Sequence, residues 1–311
     1  MQRLCAFVPM PFLALLLISL SAGTLVAYLG LRYPTPVVGD APAEGAAERI
    51  ETEMERHPWL LRLVRGRLDP ATATGLALTL ALGLAIVGGI LVGLLAYLMR
   101  SSDRLVDTDR EVGQWGVDNA TSWSTDALQL VTELGGAYFV VFALIVVGVF
   151  EYRRVPNKWV PVFLVSVVAG EIVLVNTIKE ILDRVRPEFN PITETLGPSF
   201  PSGHAGLAAA FYAAAALTLA RRRSTRTRVL FAGGAVAIAV GVACSRVLLG
   251  VHWMSDVVAG LAFGWAWFGM CAIAFGGRFL VLGAPVERAE EIAEERGVDP
   301  DTGKASAGQT S

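Results

Sequence analysis

The sequence predicts an all-α protein, a polytopic bundle of transmembrane helices, and three observations support this prediction. The 311 residues are 54% hydrophobic and only 17% charged, with a mean hydropathy of +0.54, a composition well outside the average for a soluble domain. The apolar residues form long runs of about 20 residues, the length that a helix needs to cross a bilayer. Short polar loops separate these runs, which favours one helical bundle inside a membrane over two soluble domains.

Seven segments have the length and the hydrophobicity of a membrane-spanning helix. In chain order, the predicted spans are Met10 to Leu31, Gly75 to Leu98, Ala127 to Phe150, Trp159 to Ile178, Ala205 to Ala220, Val229 to Leu249 and Trp253 to Phe275.

Polar segments divide the chain into four predicted parts. Residues 1-34 hold an N-terminal transmembrane helix, and residues 35-74 form a cytoplasmic linker rich in Pro, Ala, Gly and Glu. Residues 75-283 form the main membrane domain, and residues 284-311 form a polar, largely disordered cytoplasmic tail. Within the membrane domain, residues 103-126 mix charges with valines and two tryptophans, which predicts an amphipathic segment at the outer interface.

Two short basic loops determine the predicted topology. Residues 153-158 and 221-228 carry clustered Arg and Lys, so the positive-inside rule places both loops in the cytoplasm. Counting spans from these loops places segments 101-126, 180-204 and 250-252 on the outer side of a plasma membrane. The first span also resembles a signal peptide, but its cleavage would export the linker and reverse every later loop. We therefore expect an uncleaved helix whose N-terminus begins outside.

Cationic and small polar residues cluster in the predicted outer loops. Lys179 and Arg186 lie on one short loop, and Arg246 closes the sixth span. A guanidinium group can bind a phosphate through two parallel hydrogen bonds, whereas an ammonium group acts as a point charge. Ser202 offers a hydroxyl and Gly203 a backbone N–H next to the start of the fifth span, where a helix N-terminus favours anions. These five residues predict a phosphate-binding site.

Two of the three histidines of the chain lie at the mouths of consecutive outer turns. Because His252 and Asp256 are four residues apart, they share one helical face, and Asp256 can orient the imidazole ring. The ring nitrogen that faces away from the carboxylate is then a credible nucleophile toward phosphorus. His204 is the other group in these loops with an ordinary pKa near neutrality, so it is the candidate general acid.

The sequence predicts neither a metal ion nor another cofactor, and it predicts no nucleic-acid partner. The net charge is -2, and the basic residues occupy short loops instead of one continuous surface. The outer loops lack Asp, Glu and His at the spacing of metal ligands. The three cysteines have no paired spacing and are expected to be apolar packing residues.

The candidate residues form a three-block pattern over about 80 residues. The blocks are Lys179-x6-Arg186-Pro187, Pro201-Ser202-Gly203-His204 and Ser245-Arg246-x5-His252-x3-Asp256. This pattern resembles the type 2 phosphatidic acid phosphatase superfamily, in its branch of membrane-bound lipid phosphatases, and no motif position is unfilled. The superfamily also includes soluble vanadate-dependent haloperoxidases, but the predicted spans favour the phosphatase branch.

The resemblance implies a role for each matching position and a core of six spans. The implied phosphate-binding residues are Lys179, Arg186, Ser202, Gly203 and Arg246. The resemblance also implies His204 as the general acid, His252 as the nucleophile and Asp256 as the residue that orients His252. Because the family core has six spans, the helix from Met10 to Leu31 is an addition to it.

The expected function is hydrolysis of a lipid phosphate or diphosphate monoester at the outer membrane face through a phosphohistidine intermediate. Candidate substrates are phosphatidic acid, phosphatidylglycerol phosphate and polyprenyl diphosphates such as undecaprenyl diphosphate. Two alternatives use the same residues. The phosphohistidine could transfer its phosphoryl group to an acceptor other than water, or the chain could bind or transport lipid phosphates without catalysis. Membrane lipids are the expected surroundings in each case, and no oligomeric state is predicted.

Overall fold

A computed structural model describes residues 10–32, 101–189 and 197–279, together with isolated helical positions between 89 and 97. The chain divides into two compact units, residues 1–33 with 83–272, and residues 34–82 with 273–311. All side chains discussed below belong to the first unit. The predicted linker, the predicted tail and most of the predicted span from Gly75 to Leu98 lie outside the described residues.

The described residues form eight α-helices, which we number in chain order. They are α1 (Met10–Arg32), α2 (Asp103–Asp118), α3 (Ser122–Glu133), α4 (Ala137–Arg154), α5 (Trp159–Leu182), α6 (Gly203–Leu219), α7 (Thr225–Leu248) and α8 (Met254–Phe279).

Helices α1, α5, α7 and α8 are each long and apolar enough to cross a membrane. The pair α3 and α4 provides a fifth crossing if the bent pair is counted as one span, and α6 is a shorter apolar helix. Four of the predicted spans therefore appear as single long helices in the part of the chain that the structure describes.

The prediction of one continuous helix from Ala127 to Phe150 is wrong. Helix α3 ends at Glu133 and α4 begins at Ala137, with a 49° bend between them. A Cβ atom on Gly135 would lie 2.7 Å from the backbone oxygen of His204 and 2.5 Å from Cγ1 of Val242. The chain therefore breaks where it passes against the beginning of α6, at a position that only glycine can fill.

The segment predicted to be amphipathic and interfacial forms α2 and the beginning of α3. Ser102 caps α2 by accepting a hydrogen bond from Leu105 N, and a capping box of Thr121 and Ser124 begins α3. Trp115 is exposed, as expected at headgroup depth, but Asp109 of α2 is almost fully buried. One polar side chain of this segment thus packs into the protein.

Helix α6 lies at the centre of the first unit, and α1 packs along α7. The alanines of α6 are buried, so neighbouring helices approach it closely. Between α1 and α7, a Cβ on Gly23 would lie 2.5 Å from the backbone oxygen of Gly233, and one on Gly233 would lie 2.7 Å from that of Gly23. The N-terminal helix is therefore part of the packed bundle.

Candidate active site

Four helix ends bring the three sequence blocks together. Lys179 lies in the last turn of α5, and Ser202 precedes α6, while Arg246 lies in the last turn of α7. The backbone N–H of His252, in the loop before α8, donates to the backbone oxygen of Arg246 at 3.3 Å. The N–H of Ser202 donates to the backbone oxygen of Asp256 in α8 at 3.0 Å. Backbone hydrogen bonds thus join the second block to the third.

His252 and Asp256 form the predicted pair across one helical turn. His252 Nδ1 lies 3.4 Å from Asp256 Oδ2, and Asp256 Oδ2 also accepts a hydrogen bond from Trp253 N at 3.0 Å. On the other side of the ring, Arg186 Nη1 lies 3.2 Å from His252 Nε2. Because a guanidinium group can only donate, Nε2 accepts and the ring proton is on Nδ1, facing Asp256. The lone pair of Nε2 therefore faces Arg186.

The imidazole of His252 is neutral over a wide pH range because it is 2% exposed. The pKa of His252 is lowered from 6.5 to about 4, mainly by burial, and the charges of Arg246 and Arg186 contribute to this lowering. The hydrogen bond to Asp256 and the charge of its carboxylate oppose this shift. A neutral ring with an unprotonated nitrogen is the form that a nucleophile requires.

Hydrogen bonds hold Arg186 beside His252, and Lys179 lies near the start of α6. Arg186 Nε donates to the backbone oxygen of Gly197 at 2.8 Å, and Arg186 Nη1 donates to that of Val251 at 3.0 Å. A Cβ on Gly203 would lie 4.0 Å from Lys179 Nζ, which places the ammonium at the start of α6. Both cations therefore lie where a phosphate at the N-terminus of α6 would bind.

Two buried donors of the site lack a hydrogen-bond partner among the described residues. Ser202 is fully buried and its Oγ has no partner, and Arg246 is 7% exposed and its Nε has none. Arg246 Nη1 donates weakly to Thr132 Oγ1 at 3.3 Å. Buried polar groups are normally hydrogen-bonded, and these two donors belong to the predicted phosphate-binding set. An anionic ligand bound in the site would satisfy both donors.

His204 belongs to the same cluster. It is the second residue of α6, and its side chain interacts electrostatically with Arg246, His252, Lys179 and Arg186. The structure thus brings together all eight residues that the sequence singled out, and their catalytic roles stay predictions. In the described part of the chain, no group of three His, Cys, Asp or Glu side chains is arranged to hold a metal ion.

The sequence analysis did not identify Arg184, a further cation that lies beside the His252–Asp256 pair. Arg184 Nη1 donates to Asp256 Oδ1 at 2.5 Å, and Arg184 Nη2 donates to Asp109 Oδ2 at 2.9 Å. Ser255 also belongs to this group, because its N–H donates to Asp109 Oδ1 at 2.9 Å. The position of Arg184, two residues before Arg186 and inside the first block, could have marked it as a candidate site residue. The sequence around Asp109 offered no such mark, because Asp109 is one of many charged residues in the amphipathic segment.

Comparisons with known proteins relate this chain to membrane phosphatases. A family model described as the PAP2 superfamily matches residues 159–279, which contain all eight candidate residues. The chain is 32% identical over 148 residues to phosphatidylglycerophosphatase B of Bacillus subtilis, and the match covers 46% of this chain and 70% of that protein. It is 38% identical over 129 residues to a lipid A 1-phosphatase of Rhizobium johnstonii, covering 38% of this chain and 49% of that protein.

The fold is also similar to a solved structure. The crystal structure of a transmembrane PAP2-type phosphatidylglycerolphosphate phosphatase from Bacillus subtilis matches with a TM-score of 0.57 and 26% sequence identity. The match covers 64% of this chain and 96% of that one. The predicted all-helical, multi-pass membrane architecture is therefore confirmed.

Proposed function

The chain belongs to the PAP2 superfamily and is a membrane phosphatase, and we propose that it hydrolyses a lipid phosphate or diphosphate monoester through a phosphohistidine on His252. The observation that carries this proposal is the arrangement around one imidazole ring. Asp256 faces Nδ1, and Arg186 lies 3.2 Å from Nε2. The nucleophilic lone pair and the cation that would bind the phosphate are thus adjacent.

In the first half of the proposed reaction, His252 Nε2 attacks phosphorus and a P–N bond forms. The P–O bond to the lipid breaks, and His204 donates a proton to the departing oxygen. The positive charge that develops on the ring of His252 is stabilised by the carboxylate of Asp256. The product lipid leaves with a free hydroxyl, or with a terminal phosphate if the substrate was a diphosphate.

In the second half, water attacks the phosphohistidine. His204 takes a proton from the water, the P–N bond breaks, and inorganic phosphate is released with neutral His252 restored. In the transition state the charge is spread over the three equatorial oxygens of the phosphoryl group, and Lys179, Arg186 and Arg246 supply compensating charge there. Ser202 Oγ and the N–H at Gly203 add hydrogen bonds to the same oxygens.

The proposed substrates are lipids with a terminal phosphate. Phosphatidic acid, phosphatidylglycerol phosphate and undecaprenyl diphosphate share this group, and the names of the relatives add the 1-phosphate of lipid A to the set. The lipid chains would stay in the bilayer while the phosphate reaches His252. Because the proposed site lies at helix ends, near the membrane surface, the lipid need not leave the bilayer to be hydrolysed.

We place the site at the outer face of the plasma membrane. The active-site cluster lies at the C-terminal ends of α5 and α7, whereas the two basic loops follow the C-terminal ends of α4 and α6. Arg154 in the last turn of α4 donates to the backbone oxygens of Leu219 and Arg221, so the two loops lie side by side. The positive-inside rule supports a cytoplasmic position for that end and an outer position for the site.

The test is phosphate release by purified protein from a panel of lipid phosphates in the presence of EDTA. We expect the wild type to retain activity in the chelator and His252→Ala to lose it, while Arg223→Gln, an exposed residue at the opposite end, behaves as the wild type. Acid-labile, base-stable ³²P on the protein should depend on His252. Incorporation of ¹⁸O from labelled water into phosphate distinguishes hydrolysis from transfer to another acceptor. Full activity of His252→Ala would refute the proposal.

A further inference from the structure

The carboxylate of Asp256 is fully buried and therefore needs compensation for its charge. Its two oxygens are used differently. Oδ2 faces His252 Nδ1 at 3.4 Å and accepts from Trp253 N at 3.0 Å. Oδ1 accepts from Arg184 Nη1 at 2.5 Å, and this ion pair is the shortest contact of the carboxylate. The balancing charge for Asp256 is thus supplied by Arg184.

Arg184 is itself held by groups from two other helices. Its Nη2 donates to Asp109 Oδ2 of α2 at 2.9 Å, and its Nη1 donates to Ser255 Oγ at 2.8 Å. Ser255 Oγ donates to Asp109 Oδ2 at 2.5 Å, which closes the network. The guanidinium also lies 5.5 Å from the centre of the Trp253 ring, within the range of a cation–π interaction. Side-chain freedom of Arg184 is therefore small.

We propose that Arg184 is a positioning residue of the phosphatase reaction and that Asp109 of α2 holds it in place. Arg184 fixes Oδ1 of Asp256, so that Oδ2 stays directed at His252 through both halves of the cycle. This inference rests on the proposed function, in which His252 is the nucleophile. It also gives α2 a part in catalysis, although none of its residues belongs to the three sequence blocks.

The charges explain why the network acts on the reaction and not only on the fold. Asp109 and Asp256 are 1% and 0% exposed, and both lie against Arg184. If Arg184 is shortened or removed, two buried carboxylates remain around a weakened or missing counter-charge. Asp256 then loses the contact that fixes its orientation, and the imidazolium that forms on phosphoryl transfer is less well stabilised.

The experiment compares Arg184→Lys and Asp109→Asn with Asp107→Asn, which changes an exposed carboxylate on the same helix. We expect Arg184→Lys and Asp109→Asn to lower kcat by about 10- to 100-fold, the usual effect of losing an outer-shell partner, with little change in KM. Single-turnover formation of the phosphohistidine should slow by the same factor. Asp107→Asn should match the wild type.

A double-mutant cycle with Asp256→Asn tests whether Arg184 acts through Asp256. We expect Arg184→Lys to change kcat by less than about threefold in the Asp256→Asn background, because the interaction that it weakens is already absent. An equal loss in both backgrounds, or an unchanged kcat in folded Arg184→Lys protein, would overturn the inference. If Arg184→Lys does not fold, Ser255→Ala is used in the same cycle, because it removes a hydroxyl without leaving an unpaired charge. Full activity of His252→Ala would instead refute the proposed function, whatever Arg184 does.

Discussion

Acidification should destabilise this protein through the buried ring of His252. Burial lowers the pKa of His252 from 6.5 to about 4, mainly because the charged ring is poorly solvated in the site. Above about pH 6.5 the ring is neutral in both the folded and the unfolded chain, so it contributes no pH dependence. Between about pH 6.5 and pH 4, the ring of His252 is protonated in the unfolded chain but stays neutral in the folded chain. The free energy of unfolding therefore falls as the pH is lowered through this window.

The size of the effect follows from the two pKa values. The difference of about 2.5 pKa units between 6.5 and about 4 corresponds to roughly 3 kcal/mol of unfolding free energy. The assay is thermal unfolding in detergent at pH 7.5, 6.5, 5.5 and 4.5, for the wild type and His252→Asn. Other titrating groups act on both proteins, so the difference between their stabilities isolates His252. We expect the wild type to lose about 2 to 3 kcal/mol more than the variant between pH 7.5 and 4.5, because most of the titration window lies above pH 4.5.

Parallel pH dependences of the wild type and His252→Asn would refute the reasoning, because they would mean that the ring titrates alike in the folded and unfolded chain. The expected result has a catalytic counterpart. A ring that stays neutral down to about pH 4 is available as a nucleophile throughout the neutral range. A fall in activity as the pH is lowered from neutrality to about 5 must then come from another group or from the substrate phosphate, whose second pKa is about 6.

Three further outcomes are expected. Asp256→Asn keeps the shape of the side chain but removes the charge that faces His252, so kcat for phosphate release should fall by about 10³- to 10⁴-fold in the folded variant. The melting temperature should fall as well, because Arg184 loses a buried counter-charge. An unaltered kcat would contradict an orienting role. Arg246→Lys keeps a positive charge but loses the planar fork, and kcat/KM should fall by about 100-fold; equal activity would show that charge alone is sufficient. Gly233→Ala places a Cβ 2.7 Å from the Gly23 backbone oxygen, whereas Gly234→Ala meets nothing within 4 Å. Thermal unfolding should show a loss of about 1–3 kcal/mol for the first and no loss for the second, and equal stabilities would mean that α1 does not pack on α7.

The catalytic candidates were predictable because their spacing depends on local geometry. The four-residue separation of His252 and Asp256 places His252, just before α8, beside Asp256 in its first turn without reference to any other helix. The predicted spans α5, α7 and α8 were found within a few residues because a long apolar run of helical length has few alternatives in a membrane. The three blocks meet because those spans alternate in direction and bring the relevant ends to one side.

Contacts between distant segments were not predictable from local patterns. Asp109 and Arg184 are 75 residues apart, and nothing in the sequence around Asp109 distinguishes it from the exposed charges of α2. The break at Gly135 did have a local signal, because Gly135 and Gly136 form a pair that disfavours a continuous helix. The apolar residues on both sides of the pair were nevertheless interpreted as one span. What the sequence alone does not contain is the neighbour, the backbone of His204, that makes glycine necessary at residue 135.

The N-terminal helix packs against the loop of the candidate site. Leu15 of α1 is buried in a cluster with Leu128, Leu248, Leu249 and Val251. The last three of these residues connect Arg246 to His252, and the backbone oxygen of Val251 accepts a hydrogen bond from Arg186. Since α1 covers the apolar side of the segment that carries the proposed nucleophile, its packing and the geometry of the site are physically linked.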